Sequence, residues 1–311
     1  MGAITFPVPP KDFDPLTASD RSLAKFGLPR RPDADAEPGL RKLWDEAFAR
    51  KPTFAQAELV EDQPWPLRPR GGGKKGQFGS AGQGAGAYVD VSSLGLSPAE
   101  PANMVFAEWK VPTISTKPKE PGPQTVGFWV GLGGIVLTTG DVPALLQAGT
   151  AAGITDGKEP VTYWAWTEWV PKGGGGAGPK TVYTKVGKKK KKFEVKPGDV
   201  MSVLVCAPES KHGYVNMWNH RTNEIVSIGV STGKIDGSTV DWIVEAPYTE
   251  VPNFGSVKFT KISAGTKHHV IHLSSATVTN IYNAPADTKV LASGSILSKK
   301  NEVKVTWNAA Q

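Results

Sequence analysis

A single cysteine, Cys206, stands in a chain of 311 residues. It can form neither an intrachain disulfide nor a cysteine-based zinc site. Also missing is any run of the ~18 consecutive apolar residues that a membrane-spanning helix needs, so no membrane partner is expected. The opening residues MGAITFPVPP hold neither a basic stretch nor an apolar core. No ordinary secretory signal is read there, and a cytoplasmic or non-classically exported protein is expected. Histidine is scarce. His268, His269 and His272 lie close together, but in a strand only the first and last would share a face, and no clustered carboxylates accompany them. They read as surface or core histidines, with no metal. With one cysteine and so few histidines, a serine or cysteine triad has little to stand on.

What is present is apolar bulk. Hydrophobic residues make up 39% of the chain, with ten tryptophans and eleven phenylalanines, enough for a real core and against wholesale disorder. Glycine and proline, 35 and 26 residues, form about a fifth of the chain and favour many turns over long helices. The formal net charge of +7 is partly local, because residues 188–192 are five consecutive lysines flanked by Lys185 and Lys196. Such a run repels itself and lacks interleaved arginine and aromatics, so it reads as a solvated edge or hairpin tip, and no nucleic acid is expected.

The chain divides near residue 76. Within 1–76, Thr17 or Ser19 can cap a short helix that stops before Gly27. After Pro38, residues Leu40, Leu43, Trp44, Ala47 and Phe48 follow helical spacing, and that helix ends near Lys51 and Pro52. The run GGGKKGQFGSAGQGAGA, residues 71–87, reads as a linker or flexible loop. From 77 to 311, β-branched and aromatic runs alternate with turn chemistry, at 88–91, 104–111, 125–132, 162–170, 181–186, 200–206, 213–219, 224–230, 239–244, 256–261, 269–273 and 302–307. Many strands without intervening helices predict an all-β, antiparallel two-sheet β-sandwich or jelly roll carrying a short helical N-terminal extension. The extension is expected to dock through its apolar stripe and to modulate access. Its removal is expected to leave a folded sandwich, and the chain is expected to be a monomer.

Period-two alternation organises the aromatic strands. Trp164, Trp166 and Glu168 share one face of their strand, and Trp129 shares its face with Gly127, Gly131 and Gly133. A carboxylate beside two indoles is costly to desolvate unless it is paired or functional. An aromatic shelf flanked by glycines is a groove for an extended ligand, although the same tryptophans could simply fill a core. Gln147 follows an apolar run and carries an amide that can donate to an oxyanion. Glu245 ends a β-forming strand just before Ala246 and Pro247, where a semi-buried carboxylate can serve as general base and then acid.

These segments, in this order, resemble the glutamic peptidases, the eqolisin or G1 family. The matches are Trp129-Val130-Gly131, Leu146-Gln147-Ala148-Gly149, Ala165-Trp166-Thr167-Glu168-Trp169-Val170-Pro171, Pro197-Gly198-Asp199, Asp241-Trp242-Ile243-Val244-Glu245 and the segment from Phe254 to Thr260. The start Phe6-Pro7-Val8-Pro9-Pro10 is similar to the leader of bacterial relatives. The resemblance implies a concanavalin A-like sandwich and acid-active endopeptidase chemistry on a polypeptide substrate, with no metal and no cofactor. It makes Gln147 and Glu245 the catalytic dyad, with Trp129, Trp166 and Glu168 lining the substrate cleft. Two positions depart from the family pattern. Gly133 stands where the family has an aspartate, and residues 83–88 lack its Asn-Trp pair. A non-catalytic lectin-like or peptide-binding sandwich is the alternative.

Overall fold

Between Gln124 and Gly133 the chain sets Val126, Phe128, Val130 and Leu132 against Gly127, Trp129, Gly131 and Gly133, and in the computed structural model this segment is a strand buried on both faces. The structure describes residues 2–35, 38–61, 77–78, 84–97, 99–115, 124–137, 142–154, 160–174, 178–209, 211–231, 233–247, 251–282 and 289–308. In chain order the strands are β1 (Gly2–Thr5), β2 (Thr53–Val60), β3 (Gln77–Phe78), β4 (Gly84–Asp90), β5 (Met104–Lys110), β6 (Gln124–Gly133), β7 (Ile135–Val136), β8 (Leu145–Ile154), β9 (Thr162–Val170) and β10 (Lys180–Val186). They continue with β11 (Lys189–Lys192), β12 (Val200–Glu209), β13 (His212–Asn219), β14 (Glu224–Ser231), β15 (Thr239–Glu245), β16 (Ser256–Gly265), β17 (Thr277–Tyr282), β18 (Val290–Leu297) and β19 (Glu302–Trp307). The two α-helices are α1 (Asp20–Lys25) and α2 (Pro38–Phe48).

The strands form two layers. One runs β9-β8-β6-β15-β4-β17 and the other β16-β5-β12-β13-β14-β2. Strand β10 ties β9 to β2 at one side, while β18 and β19 tie β17 to β16 at the other. The even-numbered residues of β6 pack with Val105 and Ala107 of β5 and Met201, Val203 and Val205 of β12 in the interlayer core. Trp109 crosses that core to donate its indole N–H to Thr150 Oγ1 at 3.0 Å. This is the β-sandwich that the alternating runs predict. Among the described residues every strand pairing is antiparallel except β2 with β14.

The extension differs from its sequence reading. Its helices are there: Ser19 caps α1, accepting from the Ser22 amide, and Trp44 and Phe48 of α2 are buried with Leu23 and Leu28 against Trp218 and Ile225. The side chains of Leu40, Leu43 and Ala47 lie outside those described. But the sequence reading placed no strand before residue 77, and the structure has two. The outer edge of β14 is paired by β2 along Glu224–Ser227 and by β1 along Ile228–Ser231. The glycine-rich run also yields strand β4 from Gly84; residues 71–76 and 79–83 of it lie outside the described residues. The five lysines fall where expected, with Lys189–Lys192 forming the exposed β11 of a hairpin with β10. His268 contacts Glu100, and among the described residues no group of three or more His, Cys, Asp or Glu is placed to hold a metal. No described helix is long and apolar enough to cross a membrane.

Asp199, at the Pro197-Gly198-Asp199 turn, gives the fold a pH-dependent element. Burial pushes its carboxyl up, but Arg221 Nε at 2.5 Å, Asn219 Nδ2 at 2.7 Å and the Lys196 amide at 2.9 Å outweigh that and hold it below the ordinary range. A carboxylate held low stabilises the fold above its unfolded pKa of about 4 and stops doing so as pH falls through the native value. Asp199→Asn is therefore expected to cost about 1–2 kcal/mol at pH 7, with Arg221 partly exposed and screened. The deficit should shrink below about pH 4. Denaturant titrations of both proteins at several pH values measure it, and a deficit that grows in acid would refute it.

Candidate active site

Strand register assembles a second, separate apolar face on the outside of the β9-β8-β6-β15-β4 layer. Directly paired residues point to the same face, so each register row can be read across the sheet. One row runs Glu168, Gln147, Gly131, Asp241 and Tyr88. The next is Trp166, Gly149, Trp129, Ile243 and Gly86, and the third is Trp164, Ala151, Gly127, Glu245 and Gly84. Glycine or alanine fills much of the floor, and indoles and carboxyl groups stand on it. Tyr88, Trp129, Trp164, Trp166, Leu145 and Ile243 form a cluster distinct from the interlayer core.

All five residues singled out from sequence lie on this face and are buried, with Gln147 and Trp129 at 0% exposure and Glu245 at 1%. They form two hydrogen-bonded units. Gln147 Nε2 donates to Glu168 Oε2 at 2.6 Å, and Trp129 Nε1 donates to Glu245 Oε2 at 3.1 Å. The amide's orientation follows from its partner, since a carboxylate accepts and only the NH2 end can face it. That leaves Gln147 Oε1 buried without a hydrogen-bond donor among the described residues. A buried acceptor left unmatched costs about 1–3 kcal/mol, so this atom calls for a donor.

Gln147 and Glu245 do not lie on adjacent strands. β6 lies between β8 and β15, and the two side chains stand opposite Gly131 and Gly127, four residues apart. At ~4.8 Å per strand and ~3.3 Å per residue, their backbones are about 16 Å apart. Both side chains rise from the same face, and Trp129, in the register row between theirs, stands between them. Period-two logic stops at one strand and cannot order strands that are distant in sequence.

Several members of the face escaped the sequence reading, among them Asp241, Tyr88 and Ile135. Asp241 sits two turns of the pleat before Glu245 and so shares its face, and it is fully buried. Tyr88 lies beside it; burial, above all, pushes the phenol up, with Asp90 and Asp241 adding to the shift and Thr277 opposing it. Ile135 of β7 packs into the same cluster from the turn after β6. Alternation from Glu245 could have found Asp241; Tyr88 fell in a predicted strand run, but nothing in the sequence tied it or Ile135 to this face.

The profile of the Peptidase A4 family matches residues 92–307. Among solved structures, the chain is similar to scytalido-glutamic peptidase bound to a transition state analog inhibitor, at 19% identity and a TM-score of 0.53 over 73% of this chain and 98% of that one. The same figures hold for SCP-B, an eqolisin-family peptidase in complex with the tripeptide Ala-Ile-His. Aspergilloglutamic peptidase from Aspergillus niger is 26% identical, covering 60% of this chain and 99% of that one, with a TM-score of 0.46. No curated protein matches the sequence.

Proposed function

The chain belongs to the Peptidase A4 family, and from that premise we propose that it is an acid-active glutamic endopeptidase working through Glu245 and Gln147. The observation that carries the assignment is the buried Gln147 amide, fixed at its nitrogen by Glu168 and open at Oε1. An amide held this way has one N–H and one carbonyl lone-pair region left for a reacting centre.

In the proposed reaction a substrate carbonyl lies over Trp129, in the gap between the two groups. Glu245 as carboxylate takes a proton from water while the water oxygen bonds to the carbonyl carbon. The remaining N–H of Gln147 stabilises the oxyanion, and Oε1 accepts from the incoming water. Glu245 then returns the proton to the amide nitrogen as the C–N bond breaks, releasing an acid and an amine. Trp129 holds Glu245 in place through its indole N–H and Glu168 holds Gln147, while Trp166 lines the cleft. The acid range is proposed from the resemblance to the glutamic peptidases and from membership of the Peptidase A4 family.

Digestion of a denatured polypeptide between pH 2 and 7 tests this. Cleavage should be fastest in the acid half of that range. Gln147→Ala should slow it by on the order of 10²–10³-fold, the cost of removing an oxyanion donor. A wild-type chain that binds the polypeptide at every pH and cleaves it at none is the binding-module outcome.

A further inference from the structure

We propose that β7 is the strand along which the substrate backbone is laid, and that β3 occupies the substrate's place in this structure. The inference rests on the peptidase function and names the substrate's docking edge. Strand β7 pairs antiparallel with β3, Val136 opposite Gln77 and Ile135 opposite Phe78, in a two-stranded sheet separate from the large one. It lies at the candidate site, because Ile135 packs in the cluster of Trp129, Leu145 and Ile243.

The turn that brings β7 there is fixed. Gly133 and Gly134 have φ of +84° and +93°, and a Cβ on Gly133 would fall 2.0 Å from the Ala144 carbonyl oxygen. Only glycine fits, which accounts physically for Gly133 at the position where the resemblance calls for an aspartate. Ile135 and Val136 are both fully buried, so packing as well as the turn holds the strand.

Its partner is the weak half of the pair. β3 is two residues long and sits inside GGGKKGQFGSAGQGAGA. Fixing such a chain costs about 1–2 kcal/mol per residue, most for glycine, against only two register pairs. An extended polypeptide offers the same backbone groups, and strand addition at a sheet edge is a general mode of peptide recognition. Gln147 and Glu245 are buried on the face into which Ile135 packs. Substrate then enters by displacing β3.

The test locks and frees β3 in the full-length chain. Directly paired positions carry Gln77→Cys and Val136→Cys, and Cys206 does not interfere, because burial hides it and pushes its thiol up to about 12. Affinity for reduced, carboxymethylated lactalbumin is measured in the Glu245→Gln background, alongside cleavage rates in the parent, with circular dichroism verifying the fold. The oxidised form should bind at least ~10-fold more weakly than the reduced form. Gln77→Pro, which removes a backbone donor from β3 alone, should bind several-fold more tightly than its parent. Equal affinity of oxidised and reduced forms, or no tightening with Gln77→Pro, overturns the proposal. Affinity changes as expected with no cleavage in any form would sink the peptidase function and leave the docking edge standing.

Discussion

Glu245→Gln is expected to leave the chain folded and to reduce peptide cleavage by about 10²–10⁴-fold, the usual contribution of a general base. The substitution is nearly isosteric, and its amide oxygen can still accept from Trp129 Nε1, so the contact that orients residue 245 survives. What disappears is the ability to take a proton from water. Folding should change little, because the site's other unit, Gln147 with Glu168, is on different strands. Steady-state kinetics with a fluorogenic peptide, with thermal unfolding run in parallel, gives both numbers. A variant that keeps more than a tenth of wild-type kcat/KM, in a preparation free of other proteases, would remove Glu245 from the chemistry.

The second large effect concerns the extension. Deleting residues 1–75 is expected to abolish cooperative folding, the reverse of what the sequence suggests. β2 and β1 together cover the outer edge of β14, and β2 is hydrogen-bonded on its other side to β10 from Thr181 to Lys185. Deletion opens both edges and uncovers Trp218 and Ile225, which lose Leu23, Leu28, Trp44 and Phe48. At about 1.5–3 kcal/mol per large buried side chain, the loss is on the order of 10 kcal/mol. That is comparable with the whole stability of a typical domain, about 5–15 kcal/mol. Circular dichroism and thermal unfolding of the truncated chain measure it. A cooperative transition within a few degrees of full length would mean the sandwich stands alone.

These two outcomes also mark how far the sequence could be read. Within a strand, alternation was enough. It placed Trp164, Trp166 and Glu168 on one face and set Trp129 among glycines, and the register rows agree. Across strands it failed, since nothing local says that β6 separates Gln147 from Glu245. In TFAQAELV of β2 the residues Ala55-Gln56-Ala57-Glu58-Leu59 do alternate, with Ala57 buried and Ala55 and Leu59 packed on the core, but alanine and glutamate are poor strand formers and the segment did not read as a strand. The first half of β4 was hidden by its own glycines. Glycine weakens an ordinary strand, yet at Gly86 a Cβ would meet the Trp242 carbonyl oxygen at 2.1 Å, so close approach overrides propensity. The short β17 and β18 were missed for a related reason: Ser, Thr and Gly at half-exposed positions read as loop.

The central claim is that one scissile carbonyl lies between Gln147 and Glu245, over Trp129. A crystal structure of the full-length Glu245→Gln protein with an uncleaved peptide measures that most directly. The account predicts a peptide carbonyl oxygen within about 3.2 Å of Gln147 Nε2, and residue 245 within one water of the same carbonyl carbon. A peptide bound with no carbonyl inside ~5 Å of Gln147, or with residue 245 still sealed behind Trp129, would contradict it.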